Sequence, residues 1–106
     1  MGDLFHETLR IWAETEQARL DFIRTDLDVC LALTDVAETK HKMGQREQAA
    51  RTIASVEKAY SDMHRFFSQA RGMTPKIENE LQSKFRQVRE RLDELKRLGG
   101  VMSELA

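Results

Sequence analysis

The chain has one cysteine, one proline and five glycines in 106 residues, and no apolar run longer than Val29-Cys30-Leu31-Ala32-Leu33. Each shortage excludes something. A single thiol cannot close an intramolecular disulfide, so Cys30 is expected to be a small buried hydrophobe in a reducing compartment. The apolar run is far shorter than the roughly 18–20 residues that cross a bilayer, and no basic-then-apolar leader opens the chain. A cytoplasmic protein without a membrane role is expected. Met1-Gly2 begins like a myristoylation signal, but His6 stands where that signal needs serine or threonine. A chain of this length builds one modest core and one domain, with too little interior left for a large cofactor cavity. No cofactor is expected.

The few helix breakers divide the chain clearly. They stand at Gly2, Gly44, Gly72-Met73-Thr74-Pro75 and Gly99-Gly100. Gly44 suits a left-handed helix terminator, while Thr74-Pro75 offers an N-cap hydroxyl followed by proline at the first helical position, where its missing N–H is harmless. Helices are predicted over 3–43, 46–71 and 76–98, with a flexible tail over 99–106. No segment alternates like a strand, so the class is all-α.

Apolar or small residues recur with alternating spacings of four and three at Ala49, Ile53, Val56, Tyr60, Met63, Phe67 and Ala70, and again at Leu81, Phe85, Val88, Leu92 and Leu95. A mean period of 3.5 keeps one seam facing a neighbour and gives left-handed, coiled-coil-like packing. The first helix repeats this at Leu9, Ala13, Glu16, Leu20, Ile23, Leu27, Cys30, Thr34 and Ala37. Phe22, Val29, Leu33 and Val36 add a second apolar row, from which two neighbours packing on a widened face are expected. Opposite lie carboxylates seven apart at Glu7, Glu14, Asp21, Asp28 and Asp35. Thr25 and Asp28 have capping-box spacing and could start a new helix. Arg24-Thr25-Asp26 contains no breaker, however, and a continuous helix is predicted. The expected architecture is an antiparallel three-helix bundle with an over-long first helix.

At 1.5 Å per residue the three helices would be about 60, 39 and 35 Å long. If the second folds back at Gly44, its end near Arg71 lies level with about residue 17, and the first turns of helix one overhang the bundle. The overhang carries Phe5, Leu9 and Trp12, an apolar patch that a homodimer would bury. These three are the candidate interface residues.

Charge is unevenly spread beneath a net charge of -1. Residues 1–39 hold three basic against nine acidic side chains, and residues 40–106 fourteen basic against nine acidic. The two halves are expected to neutralise each other within the molecule. The third helix has a basic face of Lys84, Arg86, Arg89, Arg91, Lys96 and Arg97, the kind of cluster that contacts phosphates. Interspersed Glu90, Asp93 and Glu94 are spaced to pair along the same helix, and no aromatic residue projects to stack a base. A nucleic-acid partner is therefore the second choice.

Catalytic signals are few. Glu38 and His41 have the three-residue spacing of helical di-iron ligands, but such a site needs two such pairs and further carboxylates. His64 has Ser61 three residues before it and His6 has Asp3 beside the helix start, so neither supplies a second pair, and no metal is expected. His41 near a helix end complements the dipole instead. Burial of Cys30 would hold it as an unreactive thiol, and no glycine-rich loop cradles a phosphate. Tyr60, Met63, His64 and Phe66-Phe67 read as core, and Met43 as a turn residue.

One stretch has a familiar look. Leu33, Gly44, the Glu47-Gln48-Ala49 run and Ile53 resemble a tetratricopeptide helical hairpin over about residues 30–58, which would imply protein–protein interaction. The pattern departs from that family at Arg46, at Val56 and in lacking a proline near residue 62. No second copy is found where about three are needed to bury a core, so the family is not assigned. The expectation is a non-enzymatic interaction or adaptor module acting through homodimerisation.

Overall fold

A computed structural model describes the backbone of residues 2–105 and the side chains of residues 15–98. It contains α1 (Gly2–Lys42), α2 (Arg46–Gln69) and α3 (Pro75–Leu105), with no strand among the described residues. The reversal after α1 turns on Gly44, at φ +79° in the left-handed region that glycine enters without a Cβ penalty. The Gly44 N–H donates to the His41 carbonyl and the Gln45 N–H to that of Lys40, satisfying two carbonyls at the helix end. At the second corner the Ile77 N–H donates to the Thr74 hydroxyl at 3.2 Å, and Pro75 is the first residue of α3. Both corners follow the sequence reading.

α1 is one continuous helix, and its buried side is the predicted seam: Leu20, Ile23, Leu27, Cys30, Thr34 and Ala37. Ala49, Val56 and Met63 of α2 meet it, together with Leu81, Phe85, Val88, Leu92 and Leu95 of α3. α2 runs antiparallel to both neighbours, so α1 and α3 are parallel. Their register is written in ion pairs: Arg24 with Glu80, Asp28 with Lys84 and Asp35 with Arg91 are each 56 residues apart. The Arg71 N–H lies 3.4 Å from the Glu16 carboxylate, which sets the α2–α3 corner level with residue 16. The backbone of α1 continues past that level to Gly2, in a molecule 69 Å long.

Two expectations need correction. α3 does not end at residue 98 but passes through Gly99-Gly100 to Leu105, where a flexible tail was expected. Each glycine disfavours a helix by only about 1 kcal/mol against alanine, and extending an existing helix adds a hydrogen bond per residue without a new nucleus. The second correction concerns α1. Phe22, Val29 and Val36 were assigned to a covered face, yet they are 54%, 46% and 41% exposed, and only Leu33 of that row is partly buried. The reason is the position of α3, which lies against the carboxylate row of α1 and draws Lys84 and Arg91 to Asp28 and Asp35. α3 thus flanks α1 on its aspartate side, where the carboxylates stay exposed but paired, and the apolar row on the other flank is left open.

Candidate interaction surface

The basic face of α3 is largely engaged within the molecule. Lys84 pairs with Asp28 and Lys96 with Glu57, while Arg89 holds Asp93 at 3.1 Å and lies 5.9 Å from the centre of the Tyr60 ring. Arg91 bonds Asp35 at 3.0 Å, Glu38 at 2.6 Å and Glu94 at 3.0 Å. Its hydrogen bond to Glu38, helped by Lys42, holds the Glu38 carboxyl below the usual range and raises the Arg91 guanidinium further. Of the six basic residues, only Arg86 and Arg97 have no carboxylate partner among the described residues.

The other candidates separate similarly. Glu38 is taken by Arg91 and Lys42 rather than turned with His41 toward a metal, and among the described residues no group of three His, Cys, Asp or Glu could hold one. Cys30 is 1% exposed, and burial, with a lesser contribution from Asp26, pushes its thiol up to about 11. Met63 is core, but Tyr60 and Phe67 are half-buried, His64 is exposed, and together with Phe85 they line an open groove of about 330 Å³ between α2 and α3. Tyr60, His64 and Phe67 each pack edge-on against Phe85, at 5.2–5.6 Å between ring centres, so these aromatic faces already serve one another. The side chains of Phe5, Leu9 and Trp12 lie outside the described residues.

Among the described residues, four of the five large exposed hydrophobic side chains lie on the back of α1. Phe22, Val29, Val36 and Met43 stand seven apart in a single exposed row, which Met43 completes at 66% exposure. A second row beside it, Ala18, Thr25, Ala32 and Thr39, is small, uncharged and also exposed. Read together they run Ala18, Phe22, Thr25, Val29, Ala32, Val36, Thr39 and Met43, the four-three spacing of a helix-packing seam. No charge interrupts it in a chain that is 33% charged, whereas the exposed residues of α3 between Lys76 and Arg97 are mostly charged.

α2 widens this band. Phe66 packs edge-on against Phe22 at 6.4 Å, and Arg65 lies 5.8 Å from the centre of the Phe66 ring. The antiparallel register set by that pair brings half-buried Ala59 level with Val29 and half-buried Thr52 level with Val36. The full seam escaped the sequence reading although its signal was present. Eight consecutive uncharged positions at four-three spacing, diametrically behind the core seam, distinguish it from an ordinary solvated face. No family model, curated protein or solved structure matches the chain.

Proposed function

We propose that this chain is a non-enzymatic interaction or adaptor module, and that it docks protein on the outer face of α1. The observation that carries this reading is the uncharged seam from Ala18 to Met43, with four large apolar side chains exposed in one row. Single exposed hydrophobes are ordinary on protein surfaces, but a contiguous row at helix-packing spacing marks a contact surface. Its small residues allow a second helix to approach closely, and its apolar ones supply the area that association buries. A reducing compartment such as the cytoplasm suits the lone thiol, and among the described residues no helix is long and apolar enough to cross a membrane.

Oxidative footprinting tests the reading. Phe22 and Met43 should label more slowly in concentrated extract of the source cell than in dilute purified protein, while exposed His64 on α2 labels equally in both. Equal labelling of all three would refute a docking role for this face. The nucleic-acid alternative would rest on Arg86 and Arg97, since the other four basic residues are held by internal carboxylates. Binding to duplex DNA or RNA with a steep salt slope would revive it, and no binding at low salt would remove it.

A further inference from the structure

The band on the back of α1 and α2 is bounded by charge of opposite sign. Along its α1 edge stand Asp21, Asp28 and Asp35, seven apart and each at least 54% exposed despite their pairs with Arg24, Lys84 and Arg91. Along its α2 edge stand Arg51, Lys58 and Arg65, also seven apart and exposed; Arg51 pairs with Glu47 and Arg65 with Asp62 on the same helix, and Lys58 has no carboxylate partner among the described residues. The α1–α2 register sets Arg65, Lys58 and Arg51 level with Ile23, Cys30 and Ala37. Each cation is thus within two residues, about 3 Å along the axis, of the height of an aspartate on the opposite edge.

Resting on the docking surface proposed above, we infer that its occupant is a second copy of this chain, packed parallel about a two-fold axis that runs along the helices. Rotation about such an axis lays the acidic edge of one copy over the basic edge of the other, at matching heights. An antiparallel pair, whose axis crosses the helices, sets aspartates against aspartates and cations against cations, an arrangement that repels. Each exposed carboxylate has acceptor sites left for a second cation. Self-complementarity of this kind is what an isologous interface requires.

The overhang of α1 points the same way. In sequence, the uncharged spacing continues through Thr15, Ile11, Thr8 and Leu4, past the level of the α2–α3 corner, where among the described residues no other helix accompanies α1. A parallel mate runs beside this extension along its whole length. An antiparallel mate centred on the same seam leaves both extensions alone at opposite ends.

Sedimentation equilibrium and disulfide trapping on the purified full chain test the inference. The wild type should dimerise, and Val29→Glu, which places two carboxylates near the axis, should raise the dissociation constant about a hundredfold with helicity by circular dichroism unchanged. Val29 is 46% exposed, so the substitution spares the core. Ala18→Cys and Thr39→Cys should each cross-link to their own kind under mild oxidation, and a mixture of the two should yield no 18-to-39 product. Cys30 does not interfere, being buried. A wild type that stays monomeric, or a dimer whose cysteines join 18 to 39 or fail to join, overturns the inference. Slower labelling of Phe22 and Met43 in extract, combined with a monomeric purified chain, would refute the second copy and leave the docking surface standing.

Discussion

Cys30 and Thr34 lie one turn apart in the buried seam of α1 and meet burial differently. The thiol has no charged form that this environment tolerates, so it stays protonated to about 11. It should react with thiol reagents at neutral pH orders of magnitude more slowly than after denaturation, which a timed labelling assay in and out of denaturant would check. A folded-state pKa above the unfolded one also makes the thiol's stabilisation complete below about pH 9 and lost as pH rises toward about 11. Thr34, 1% exposed, satisfies its hydroxyl locally by donating to the Leu31 carbonyl at 2.6 Å. A hydroxyl paired only with its own helix adds little, so Thr34→Val, which keeps the shape, should change stability by less than about 1 kcal/mol in urea unfolding. Leu27→Ala, two turns earlier and fully buried, should lose about 2–5 kcal/mol in the same experiment.

At the level of elements, corners and registers carry the specificity. Gly44 has nothing within 4 Å of the place a Cβ would occupy, so Gly44→Ala tests backbone strain alone and should destabilise by about 1–2 kcal/mol in thermal unfolding. The ladder between α1 and α3 fixes which turns lie together. Sliding α3 by one turn in one direction sets Arg24 against Lys84, and in the other sets Asp28 against Glu80. The pairs are part-exposed and individually worth little, so Glu80→Arg should cost about 1 kcal/mol or less, mostly through repulsion of Arg24. The exchange Arg24→Glu with Glu80→Arg should recover most of that loss, and a double-mutant cycle by denaturant unfolding measures the recovery.

For the molecule as a whole, acid should loosen the α1–α3 side first. Glu38, held low by Arg91 and Lys42, contributes stability above the ordinary carboxylate range, near pH 4.3, and this is lost as pH falls through its lowered folded value. Stability of the wild type should therefore fall more steeply below about pH 4 than that of Glu38→Gln, as denaturant midpoints across that range would show. Part of the opposition between the acidic first half and the basic second half is neutralised within the molecule, where α3's Lys84 and Arg91 meet α1's Asp28, Asp35 and Glu38. What remains at the surface is a molecule with one long seam and oppositely charged edges.

The elements were written in the sequence because they depend on local chemistry. Gly44 and Thr74-Pro75 set the corners, the four-three spacing chose the buried side of each helix, and the absence of breakers kept α1 continuous. Periodicity along one helix cannot say on which flank of its seam a neighbour will lie, because both flanks have the same spacing. Only the tertiary structure decided that α3 takes the aspartate side, where opposite charge draws it. That choice left Phe22, Val29, Val36 and Met43 in the open and turned a presumed second core row into the candidate docking surface. It likewise drew Lys84 and Arg91 of the basic face to carboxylates of α1 and Lys96 to Glu57 of α2, because ion pairs depend on which helices are brought side by side.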